Sequence, residues 1–234
     1  MRPSTLAAKQ FRQVSIMSGV SRKPPSTRPS GTAAYTADEY HRQDDHTPAT
    51  SQPEAEMYIL ALRTDSIHHK AVTALRDRYF PQKINKLSAH IALFRALPGS
   101  QLSKVMADIE VVARRTQPFP ITTRSPFILA HGHGVALGVR VEPAKQIFQH
   151  LKREWASFLS KQDQSFKAHY TIQNKVDDPK IPRQTLEEVR GEFPGSQGMV
   201  EGLSLYLYDR GYWTLKRSFD FTRSRDTEIA RHGV

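Results

Sequence analysis

The sequence states one short theme twice, as A-H-I-A-L-F at 89–94 and as A-H-Y-T-I at 168–172. Both runs are short and apolar, so both read as strands. Along a strand the side chains at i and i+2 share a face. His169 and Thr171 therefore project together while Tyr170 and Ile172 turn the other way, and the same alternation sets His90 beside Ala92. Two such strands meeting near a pseudo-twofold axis would put one imidazole on each side of a bound group. That arrangement suits displacement at phosphorus, where the attacking and leaving oxygens lie on opposite flanks. A neutral imidazole takes a proton from water and an imidazolium protonates the departing ribose oxygen, both near neutral pH. A neighbouring Thr hydroxyl can donate to a phosphate oxygen as charge develops there. This chemistry needs no metal.

Outward from these stretches the pattern is regular. M-Y-I-L-A-L-R at 57–63 reads as a strand, and Ile67, Ala71, Ala74, Leu75 and Tyr79 follow at helical spacing. After Pro98-Gly99-Ser100, the residues Leu102, Val105, Met106, Ile109, Val112 and Ala113 line one face of a helix. Two strands flank H-G-H-G at 131–134, and in the second Val135, Leu137, Val139 and Val141 alternate. Pro143 opens a helix whose apolar stripe is Ala144, Ile147, Phe148, Leu151, Trp155, Phe158 and Leu159, and a short helix is expected around 183–191. The runs 202–208 and 212–221 alternate about Asp209-Arg210-Gly211 as a hairpin. The order of elements implies two similar halves, each contributing one short strand that begins with histidine.

Composition narrows the partners. There are no cysteines, which excludes disulfides, thiolate zinc sites and a cysteine nucleophile. No apolar run approaches the roughly 18 residues needed to span a bilayer, so no membrane partner is expected. The net charge is +11. Residues 1–37 carry six basic groups and no acid, and residues 38–56 carry six acids against Arg42, so +10 rests on residues 57–234. A basic body attracts an anionic substrate. Residues 1–54 are rich in Ser, Thr, Pro, Ala and Arg, and read as a disordered extension. Its acid-free, Arg- and Ser-containing beginning also has the composition of a mitochondrial transit peptide. The expected organisation is the extension at 1–54, one folded domain at 55–222 and a polar tail at 223–234. The expected location is intracellular, in cytoplasm or nucleus, or in mitochondria if the leader is real.

The two histidine stretches resemble the paired H-x-[T/S]-x signatures of the two-histidine (2H) phosphoesterase superfamily, also called 2′-5′ RNA ligase-like. The likeness extends over roughly residues 56–221: a leading strand, H-I-A-L-F followed by L-P-G-S-Q-L, the hairpin ending in G-V-A-L-G-V-R-V, then A-H-Y-T-I-Q-N-K and the closing strand pair. The resemblance implies an α+β bilobal fold, with two pseudo-symmetric lobes of antiparallel strands and outer helices around a central cleft. It implies metal-independent action without a cofactor on 2′,3′-cyclic phosphate ends of RNA or on small cyclic nucleotide phosphates. Carried over by position, His90 and His169 match the catalytic histidines and Thr171 matches a phosphate-binding hydroxyl. Ser88 and Lys167 are further phosphate-binding candidates, and a monomer is expected.

One position departs from the pattern. Ala92 stands where the family has Thr or Ser, and a methyl group cannot donate a hydrogen bond. Loss of one such donor costs about 10²–10³ in rate at other oxyanion sites. Ser88, a backbone N–H or a basic side chain would restore the contact, and Lys167, Lys175 and Arg95 lie close to the motifs in sequence; without one, the protein is a slow enzyme or a non-catalytic binder of RNA or nucleotide phosphates. The sequence leaves open which histidine is acid and which base. His131 and His133 read as part of a polar hairpin turn, because no third ligand sits at telling spacing. His68-His69 at a helix start reads as surface. Tyr170, Tyr206, Tyr208, Tyr212 and Trp213 are candidates for base stacking, although alternation must send about half of such residues into the core.

Overall fold

A computed structural model describes residues 46–222. The transit-peptide reading and the polar tail at 223–234 lie outside them. Residues 46–54, which composition placed in the extension, are tied to the body: Pro48 is buried, Ala49 N–H donates to Phe158 O at 3.1 Å, and the Glu54 carboxylate accepts from Ser100. No helix among the described residues is long and apolar enough to cross a membrane.

Alternation in β1 (Met57–Thr64) puts Tyr58, Leu60 and Leu62 on one side, where all three are buried in the core. The remaining strands are β2 (Ala92–Pro98), β3 (Phe119–Ile128), β4 (Val135–Arg140), β5 (His169–Gln173), β6 (Gln197–Asp209) and β7 (Tyr212–Asp220). They form one sheet in the order β2-β1-β6-β3-β4-β5, with β7 also on β6, and every pairing is antiparallel. The long strand β6 belongs to both halves. Its first residues pair with β3 at Phe119↔Val200 and Ile121↔Gly198, while its remainder lies between β1 and β7. The result is the expected α+β, two-lobed arrangement, made continuous by one shared strand.

Among the described residues, four α-helices cover the sheet. In α1 (Ser66–Tyr79), the Asp65 carboxylate caps the first turn by accepting from the backbone N–H groups of Ile67 and His68. Although α1 follows β1, it packs against β5 and β6, whereas α2 (Leu102–Arg115) packs on β2, β6 and β7. The helix α3 (Glu142–Glu154) packs on α2, and α4 (Lys180–Glu192) on β3 and β4. The apolar stripe assigned to one helix through Leu159 outlasts α3, which ends at Glu154. Trp155, Phe158 and Leu159 remain buried because the chain continues in tight turns, with Phe158 N–H and Leu159 N–H both donating to Trp155 O.

The largest departure is in β2. The strand expected over 89–94 begins at Ala92, and His90 lies just ahead of it, although Ile91 O still accepts from Leu62 N–H at 3.0 Å. Pairing with β1 then slips: Ala61 faces Ala92, Leu60 faces Phe94, and Tyr58 faces Leu97. Each slip is an extra residue on β2, which is a bulge. Phe94 is thereby kept in the core while Arg95 turns out beside Ala92, a pair that plain alternation would place on opposite faces. The buried Asp163 carboxylate accepts from the N–H groups of Arg95 (2.8 Å) and Ala96 (3.0 Å), and from Ser160 Oγ (3.0 Å).

Candidate functional site

His90 and His169 are brought to one cleft of about 250 Å³, lined also by Ala92, Arg95, Leu129, His131, Lys167, Thr171 and Asn174. Both rings are held in the same way. His90 Nδ1–H donates to Ser88 O at 2.8 Å, and His169 Nδ1–H donates to Lys167 O at 2.6 Å. In each case the acceptor is a carbonyl two residues upstream, so Nδ1 must carry the hydrogen. The neutral rings therefore keep a free lone pair at Nε2. The Phe127 ring stands edge-on to His169 with centroids 6.2 Å apart, and Trp213 lies 4.3 Å from His90.

Electrostatics favour uncharged imidazoles in this cleft. Burial pushes the His90 pKa down to about 4, helped by the charges of Arg76, His169 and Arg95, against the opposing pull of the Ser88 carbonyl. His169 is lowered in the same direction, first by burial and then by Arg95 and Lys167, with the Lys167 carbonyl opposing.

Beneath the cleft lies Arg76 of α1, only 4% exposed. Its Nε donates to Asn85 Oδ1 and Leu87 O, its Nη1 donates to Thr171 O at 2.5 Å, and its guanidinium covers the Phe80 ring. It thus ties the loop leading to His90 to the strand carrying His169 and Thr171. Burial lowers its pKa to about 10, still far above neutrality.

Of the expected residues, Thr171 lies beside His169 on the cleft side of β5, with Tyr170 and Ile172 buried behind. Lys167 lines the cleft, its ammonium 4.8 Å over the Phe127 ring. Ser88 is not brought to the same place. Its hydroxyl lines the neighbouring groove, 3.2 Å from His69 Nε2, and only its carbonyl serves His90. H-G-H-G is a turn as expected, and its glycines have distinct causes. Gly132 has φ +79°, and a Cβ on Gly134 would sit 2.2 Å from Gln173 O. That close approach brings His131 to the cleft, an assignment the turn reading did not contain.

His68 is a correction. Read as surface, it is fully buried between α1, β5 and the start of β6, with Nδ1 2.8 Å from Ser196 Oγ and Nε2 3.1 Å from Tyr170 OH. Its position on the α1 face that meets the sheet, not its polarity, decides this. Among the described residues no group of three or more His, Cys, Asp or Glu side chains is placed to hold a metal ion.

A family model described as the 2′-5′ RNA ligase superfamily matches residues 64–212. No curated protein matches the chain in sequence. Solved structures share the fold. TT0787 of Thermus thermophilus superposes with a TM-score of 0.54 at 16% identity, covering 72% of this chain and 100% of that one. E. coli LigT complexed with 3′-AMP gives 0.53 at 14% identity, covering 72% and 99%. The same protein complexed with NADP+ gives 0.51 at 16% identity, covering 73% and 99%.

Proposed function

The chain belongs to the 2′-5′ RNA ligase superfamily, and from that membership we propose a metal-independent phosphodiesterase in which His90 and His169 are the general acid–base pair. Its substrates are 2′,3′-cyclic phosphate ends of RNA or small cyclic nucleotide phosphates. The observation that carries the reading is the matched anchoring of the two rings: each Nδ1–H is committed to a carbonyl, and both rings line one cleft. The complex of LigT with 3′-AMP, a fold relative, is in keeping with a nucleotide phosphate in such a cleft.

Groups whose environments separate their pKa values divide into acid and base. His90, held neutral most strongly, is the base; His169, less depressed, is the acid once the bound phosphate's negative charge raises it. Water then attacks phosphorus as His90 Nε2 removes its proton. The bond from phosphorus to one ribose oxygen breaks, and His169 protonates that oxygen, giving a phosphomonoester and a free hydroxyl. His90 leaves the step protonated and His169 neutral, and exchange with solvent resets both. Thr171 Oγ1, Arg95 and Lys167 hold the non-bridging oxygens, with Arg95 taking the place of the hydroxyl that Ala92 lacks. Domain limits follow the same reading: residues 55–222 carry the catalytic fold, with 46–54 packed onto it.

The test is turnover of nucleoside 2′,3′-cyclic phosphates in EDTA. The wild type is expected to turn over, and His90→Ala and His169→Ala each to lose about 10³-fold or more in kcat. Ala92 motivates the second reading, a non-catalytic phosphate binder; tight binding without turnover across a broad panel of cyclic phosphates would establish it and sink the first.

A further inference from the structure

The larger opening beside the cleft has no part in the acid–base scheme. It is a groove of about 630 Å³ that shares His90 with the cleft and runs over the free face of β1, β6 and β7. Strand register gives it its shape. Ala61, Ser204 and Ser218 lie in one row across the three strands, and this row of small side chains forms a trough. The next row places Tyr206 opposite Leu215, and the following one places Tyr208 opposite Trp213, so an aromatic and apolar ridge borders the trough. Much of this ridge meets solvent: Leu215 is 54% exposed and Tyr208 43%.

The rim is mixed in charge, with its basic side at Lys86 and its far end neutralised by ion pairs. Lys86 lines the groove, with its ammonium 4.1 Å over the exposed Tyr212 ring, and Arg63 stands at the far end between Glu201 and Asp220. Trp213 joins the two openings, 4.3 Å from His90 and 5.6 Å from Tyr206.

Resting on the reading that the scissile phosphate lies between His90 and His169, we propose that this groove is a stacking track for single-stranded RNA. It holds the nucleosides that precede the reactive phosphate, on its 5′ side. Aromatic faces beside cations are what unpaired bases require, because every base has a stackable face and every linkage a negative charge. A trough floored by methyl and hydroxymethyl groups admits a flat ring, and the exposed Ser218 hydroxyl can meet a base edge. Continuity through His90 favours nucleic acid over a peptide, since the occupant must enter a site built for phosphate. The protein is thus specific for cyclic phosphates at the end of an RNA strand over free cyclic mononucleotides.

Trp213 supplies its own probe. The chain has two tryptophans, and Trp155 is fully buried in the core. Full-length protein is titrated with RNA of one to four nucleotides ending in a 3′-phosphate, while tryptophan fluorescence is followed. Quenching is expected, with affinity rising about tenfold between one nucleotide and three. Leu215→Glu and Tyr206→Ala are expected to reduce that gain to about threefold or less; the melting temperature of each variant checks that it folds. The track is overturned if three nucleotides bind no tighter than one. It is also overturned if inorganic polyphosphate displaces the trinucleotide as well as RNA does, because charge alone then suffices. Turnover of cyclic mononucleotides with no gain from length would remove the track and leave the acid–base reading. Length-dependent quenching without turnover of any cyclic phosphate would do the reverse.

Discussion

The segments bearing His90 and His169 reach one cleft by different backbone routes. Around His169 the route is a regular strand: β5 begins at the histidine, alternation puts Thr171 beside it, and Tyr170 and Ile172 fill the core behind. Around His90 it is irregular. The histidine precedes β2, the following same-face residue is Ala92, one bulge separates Ala92 from the next outward side chain, Arg95, and a second falls between Phe94 and Leu97. The common feature is the carbonyl two residues upstream that holds each ring. A pseudo-symmetric pair of sites can therefore keep its ring geometry while exchanging the chemistry beside it, a neutral hydroxyl on one side and a guanidinium on the other.

The strongest way to break this comparison is to remove the two unlike donors in turn. Arg95→Met and Thr171→Val are each expected to lower kcat on a cyclic phosphate by about 10²–10³-fold, as for other oxyanion donors. A loss confined to Thr171→Val would show that Arg95 does not stand in for the missing hydroxyl. Next is the prop behind Arg95. Asp163→Ala leaves the buried N–H of Ala96 and that of Arg95 without an acceptor, and is expected to cost about 2–3 kcal/mol in denaturant unfolding. The cost should be accompanied by a fall in kcat, and unchanged stability would mean that β2 re-pairs without the carboxylate.

Acid–base roles sharpen the comparison further. With His90 lowered to about 4 and His169 lowered from the ordinary imidazole value, kcat/KM should be bell-shaped. It falls on the acid side as His90 gains a proton and on the alkaline side as His169 loses one. Its maximum is expected on the acid side of neutrality, and a plateau extending above pH 8 would contradict the assignment. The smallest effect is at Ala92. In the wild type, Ala92→Thr is expected to change kcat by only about threefold, because Arg95 already serves; in Arg95→Met it should recover about tenfold or more. Equal gains in both backgrounds would make the two groups independent.

The same contrast explains what could be read from residues alone. β5, the hairpin of β6 and β7, and the stripes of α2 and α3 follow from alternation or helical spacing, which are local properties. So is the turn at Arg210-Gly211, where φ values of 46° and 91° give the mirror-image turn that a two-residue hairpin favours. The two bulges in β2 are not local. They depend on how β1 meets β2 and on Asp163, which lies 68 residues beyond Arg95 and carries no pattern of its own. Arg76 and His68 escape sequence reasoning for a related reason. Both are polar residues whose burial is set by the side of α1 that meets the sheet, and their partners lie far along the chain at Thr171, Tyr170 and Ser196. His131 sits in a turn whose place over the cleft depends on how closely Gly134 approaches Gln173.

The strand shared by the two halves has a mechanical consequence. Because β6 lends its first residues to β3 and the rest to β1 and β7, neither half keeps a complete set of neighbours when the other melts. Heat should therefore unfold residues 46–222 in one step, with calorimetric and van't Hoff enthalpies in agreement. Opening and closing of the two halves like a clamshell would have to bend a hydrogen-bonded ribbon, so entry and release of ligand fall to side chains at the rim.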